Sequence, residues 1–176
     1  FQVQMMTTVQ TMFDEAVGPG VITVMRGVGG CIELLVSNGV SPSSPKYGNA
    51  GSELQPAIVY EGEFRNNPGF ATDQELSLAM AETAAHEIGH KLGLQGHNCD
   101  APATLMTAGQ KVPASIRKLG LRRFDAVDQV KLAANATLIT GEPKSTAGPS
   151  DLAILNGSFC PPPPDPPDDG YLMVRA

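Results

Sequence analysis

His86-Glu87-Ile88-Gly89-His90-Lys91-Leu92-Gly93-Leu94-Gln95-Gly96-His97 contains all 3 histidines of this 176-residue chain. Residues four apart on a helix are neighbours, so His86 and His90 present two imidazole nitrogens to one side. H-E-x-x-H on a helix is a zinc-binding pattern with a base built in. Glu87 lies beside His86, within reach of a water on the metal without being a ligand itself. The helix must then stop for the chain to turn back, and Gly93 suits a left-handed C-terminal cap. His97 follows on the returning chain as a third ligand. Three protein ligands leave the fourth zinc position open, which separates a catalytic site from a closed structural one.

Upstream, Thr72 to Glu75 is a T-x-x-E capping box that starts this helix, which is predicted to run from Asp73 to Leu92. Leu78, Ala81, Ala85, Ile88 and Leu92 form one apolar stripe, and Ala79, Thr83 and Ala84 leave room around the metal-binding face. Gln2 to Val17 reads as an amphipathic helix on Val3, Met6, Val9, Phe13 and Val17, stopped by Gly18-Pro19-Gly20. Val21 to Met25, Cys31 to Val36 and Ala57 to Phe64 are predicted strands, and Asn38 to Pro56 a loop without periodicity. Asp125 reads as the N-cap of a final helix spaced on Phe124, Val127, Val130, Lys131 and Ala134, with Asp128 in its first turn.

At His86 to His97 the chain resembles the metzincin clan of zinc endopeptidases, whose pattern is H-E-x-x-H-x-x-G-x-x-H followed by a methionine turn. Ala103-Thr104-Leu105-Met106-Thr107-Ala108-Gly109 is the candidate turn. The likeness is nearest to the matrix-metalloproteinase and pappalysin-like branches. One departure stands out: Leu94-Gln95-Gly96 places three residues between Gly93 and His97 where the family has two, a surplus that Gly96 can absorb as a bulge. The resemblance implies an α+β domain, with a small twisted mixed sheet packed on the active-site helix and a C-terminal helix. It implies Zn2+ on His86, His90 and His97, Glu87 as general base, and Met106 as a hydrophobic floor. It also implies hydrolysis of protein or peptide substrates, a secreted setting, and substrate lying along an edge strand, for which Ala57 to Phe64 is the candidate. The family's first strand has only Phe1 to Met5 available, so it lies upstream or is missing.

Alternatives of other classes remain open from the sequence. A carboxylate third ligand has Asp100, Asp125 and Asp128 as candidates. A peptide-binding protein without turnover results if the surplus residue spoils the third ligand. A structural zinc has only Cys99 or Asp100 for its fourth ligand.

A net charge of −6 and the lack of any basic run argue against nucleic acid as a partner, and no apolar run reaches membrane-spanning length. The 3 cysteines, Cys31, Cys99 and Cys160, form no C-x-x-C pair, and an odd count leaves at least one thiol free or paired outside the chain. Residues 1–140 read as the catalytic domain. Residues 141–176 read as a loop and a proline-rich linker around Cys160 to Gly170, with a further module beyond it as an expectation. Asn135-Ala136-Thr137 and Asn156-Gly157-Ser158 match the glycosylation acceptor pattern.

Overall fold

Thr72 opens the longest helix of the computed structural model, which describes residues 2–26, 32–42, 46–51, 55–97, 104–140 and 171–175. In this helix, α3 (Asp73–Lys91), the Thr72 hydroxyl accepts the Glu75 N–H at 3.1 Å, and Glu75 reaches back to the Ala71 N–H at 2.7 Å. Its end is a Schellman turn: Leu94 N–H donates to Gly89 C=O and Gly93 N–H to His90 C=O, both at 3.0 Å, with Gly93 at φ +88°. The predicted stripe proves too narrow. From Leu76 to Gly89 every residue except Leu78 is buried, so α3 is enclosed on all sides, by the sheet and by α1 (Gln2–Val17). The small residues at Ala79, Thr83 and Ala84 are what let neighbours approach this closely.

The sheet is mixed and runs β1-β5-β2-β4-β3, from β1 (Thr23–Arg26), β2 (Ile32–Ser37), β3 (Gly48–Asn49), β4 (Ala57–Tyr60) and β5 (Tyr171–Arg175). β2 and β4 pair in parallel, and the other pairings are antiparallel. Ile32, Leu34 and Val36 of β2 alternate into the core, with Ala57 and Val59 of β4 beside them. The remaining helices are α2 (Glu61–Arg65), α4 (Ala114–Arg117) and α5 (Ala126–Thr140), with a 3-10 turn at Gly109–Lys111. This is the expected α+β architecture.

Several local expectations are corrected. Ala57 to Phe64 is not one strand: β4 ends at Tyr60 and the chain turns into α2, because a short alternation of Tyr60, Gly62 and Phe64 fits a single helical turn equally well. β4 is also internal, and among the described strands the edge beside it is β3, from the stretch expected to be loop. In α1 the buried side is Met5, Val9, Met12 and Phe13, while Val3 is 76% exposed. In α5, Val127 and Val130 face solvent while Leu132 and Ala136 enter the core, as does Phe124 just before it. Tyr171–Arg175, placed with the tail from sequence, pairs with β1 and β2 inside the sheet. Cys31, Cys99, Cys160, Asp100 and the proline-rich stretch lie outside the described residues.

Candidate metal centre and cleft

His86, Glu87 and His90 come from the last turns of α3, and His97 from the chain beyond the Gly93 cap. One ligand nitrogen of each histidine lies within 4.8 Å of the others. Gly96, at φ +76°, takes the left-handed conformation that lets Leu94-Gln95-Gly96 deliver His97 despite the surplus residue. The His97 ring stacks on His86, with centroids 5.2 Å apart, and meets His90 edge-on at 5.1 Å.

The helix histidines are oriented through their outer nitrogens. His86 Nδ1 lies 2.8 Å from Leu105 C=O and His90 Nδ1 2.8 Å from Leu94 C=O. A carbonyl only accepts, so each Nδ1 carries the hydrogen and each ring turns its Nε2 inward. The two Nε2 atoms then face each other at 3.1 Å, a spacing at which both can bind one cation. Tetrahedral zinc with bonds of about 2.0 Å separates its nitrogens by about 3.3 Å, so the cluster fits a zinc ion. Burial pushes His86 down to about 3 and also lowers His97, which keeps both rings neutral and available as ligands.

The Leu105 carbonyl is itself held. Leu105 N–H donates to Arg123 C=O at 2.8 Å, and Arg122 Nη1 donates to Thr104 C=O at 3.2 Å. Arg122 also pairs with Glu82, one helical turn before His86, at 2.7 Å, with both side chains almost fully buried. This pair ties α3 to the turn that orients its first histidine. Met106, 1% exposed, sets its sulfur 3.1 Å from where a Cβ on Gly89 would stand, so a larger residue there would have to displace it slightly.

Glu87 opens onto a cleft of about 350 Å³ shared with the histidines and walled by Tyr47, Gly48, Thr107 and Arg117. Desolvation raises its pKa to about 7, against the lowering effects of Arg117, Lys46 and a hydrogen bond to the Ala50 backbone. β3 presses directly on it: a Cβ on Gly48 would lie 2.6 Å from Glu87 Oε1. Of the alternative ligands, Asp125 caps α5 by accepting the Asp128 N–H at 2.9 Å, and neither aspartate joins the cluster. Asn135, the first glycosylation candidate, donates its Nδ2 to Leu92 C=O at 2.6 Å and so completes the α3 terminus.

Sequence reasoning missed Gly48, Arg117, Arg122 and Glu82. Glu82 at four residues before His86 was the available signal, since a carboxylate amid Ala and Met on a buried helix requires a partner.

No family model matches the chain, and neither does any curated protein. Among solved structures it is similar to a zinc-dependent peptidase from Methanocorpusculum labreanum (strain Z). That match has 33% identity over 56% of this chain and 52% of the other, with a TM-score of 0.42. The match thus spans about half the length of that protein.

Proposed function

We propose that this chain is a zinc-dependent endopeptidase of metzincin type, with His86, His90 and His97 as ligands and Glu87 as general base. The observation that carries the reading is the pair of Nε2 atoms turned toward each other at 3.1 Å, each ring fixed by its Nδ1–H on a backbone carbonyl. When bound, zinc supplies Lewis acidity toward the scissile carbonyl and a water activated near neutral pH. Glu87 accepts the proton of the attacking water on its carboxylate and passes it to the leaving amine. In the metal-free protein burial already raises this carboxyl to about 7, in the range where a proton carrier works. β3 offers the unpaired edge of the sheet beside Glu87, so an extended peptide can pair along Gly48–Asn49. Leu105-Met106-Thr107 is read as the methionine turn, with Met106 as an apolar floor. Protein or peptide substrates in an extracellular setting belong to the same reading.

Metal analysis and peptide hydrolysis on one preparation test it. The expected result is stoichiometric zinc and cleavage at internal peptide bonds, lost on chelation and restored by zinc. A chain that takes up no zinc overturns the reading. Zinc without hydrolysis favours a peptide-binding protein.

A further inference from the structure

Two buried arginines line the cleft, and they are treated differently. Arg122 is neutralised by Glu82 at 2.7 Å. Arg117, 2% exposed, has no carboxylate oxygen within 4.0 Å among the described residues. Its hydrogen bonds go to neutral oxygens: Nε to Val112 C=O at 3.2 Å, Nη1 to Thr83 Oγ1 at 3.0 Å and Nη2 to Gly109 C=O at 2.7 Å. A guanidinium carries five N–H donors, so one on each terminal nitrogen remains. The plane is fixed by stacking on Tyr47, 4.8 Å from the ring centroid, and Tyr47 is backed by Phe64 at 4.4 Å. Lys46 also lines this cleft, and Glu87 is the one carboxylate among its described lining residues. Glu82 and Glu87 act on this cation only from beyond contact distance, so a rigid guanidinium with two N–H donors to spare beside the base is matched by a carboxylate arriving from outside.

We infer that Arg117 is a specificity-determining residue that binds a carboxylate of the substrate close to the scissile bond. The inference rests on the peptidase reading above. That carboxylate is an Asp or Glu side chain, or the free C-terminus of a short peptide, and the two sources share the chemistry of a planar anion on a guanidinium fork.

The test uses the zinc-loaded protein and quenched fluorescent peptides carrying Glu or Gln at each position around the cut, each as free acid and as amide. At one position kcat/KM is expected to favour Glu over Gln by about ten- to a hundredfold, the worth of a hydrogen bond to a charged group. If the C-terminus is the source, the same ratio appears between free acid and amide. Arg117→Met should flatten the ratio to about twofold or less, mainly through KM, with zinc content unchanged, and Arg117→Lys should restore part of it. Equal rates for all pairs in the unmutated protein overturn the inference, whether or not Arg117→Met folds, and leave the peptidase reading standing. If no peptide is cleaved, calorimetric titration of the same pairs still decides: tighter binding of the Glu or free-acid member supports the role of Arg117, and equal binding ends it.

Discussion

Glu87 is held in a setting that makes its two protonation states differ in cost, and two measurements follow. Glu87→Gln should retain zinc and lose at least about a hundredfold in turnover, the value of a positioned general base. Near-normal turnover would remove Glu87 from that role. In the metal-free protein the folded pKa of about 7 lies above the ordinary carboxylate value of 4.5, so the folded state holds the proton more tightly. The associated stability is complete below pH 4.5 and is lost as pH rises through 7. Above that pH Glu87→Gln should therefore be more stable than the unmutated apoprotein, by up to about 3 kcal/mol, and below pH 4.5 the gain should vanish. Chemical denaturation across this range reads the difference directly. His86, depressed from 6.5 to about 3, acts in the opposite sense in both proteins, with stability lost as pH falls, so it cancels in the comparison. His97 supplies the other test at this scale. His97→Ala should lose most of the zinc affinity, Asp100→Ala almost none, and Gly96→Val some of it, because valine resists φ +76°. Full zinc occupancy in His97→Ala would end the three-histidine arrangement.

At the level of elements, the Glu82–Arg122 pair joins α3 to the turn bearing the Leu105 carbonyl. Arg122→Met leaves Glu82 charged and buried, which should cost about 3–5 kcal/mol. Zinc affinity should also fall by about ten- to a hundredfold, because the His86 orienting carbonyl is loosened. Replacing both residues, as Glu82→Leu with Arg122→Met, should recover much of the stability but not the affinity. Equal zinc affinity in all three proteins would show that the pair does not position His86. The ends of α3 were legible because Thr72 with Glu75 and Gly93 are local signals, complete within one turn of backbone. That His86 and His90 stand side by side was legible for the same reason, being set by a four-residue spacing. β3 was not, since two residues carry no periodicity, and Arg117 gained its place only through contacts with Thr83 and Gly109 distant in sequence. The stripes of α1 and α5 were misjudged by about one position. Their methionines and alanines are as apolar as the exposed valines, so the pattern alone does not choose a face.

For the whole molecule, the position of β5 matters most. Arg26↔Leu172 on one side and Leu34↔Leu172 on the other make it the only link between β1 and the rest of the sheet among the described strands. Removing residues 171–176 should leave β1 and β2 with open edges and lower the melting temperature by about 10 °C or more, a loss of a few kcal/mol for a chain of this size. An unchanged melting temperature would show that β5 contributes nothing to the sheet. The run Tyr171-Leu172-Met173-Val174 was a fair strand signal, and its distance from β1 and β2 in sequence hid its partners.

The same strand sets the order in which the protein can be made. β5 follows every other described element along the chain, yet its place is between two strands from the first part. A nascent polypeptide therefore emerges with the α3 histidines already translated and a gap in its sheet. Until residue 175 leaves the ribosome, β1 and β2 display unpaired backbone to any other chain nearby. Contacts spanning so much sequence form slowly, which makes the interval between synthesis and closure the period of greatest exposure to aggregation.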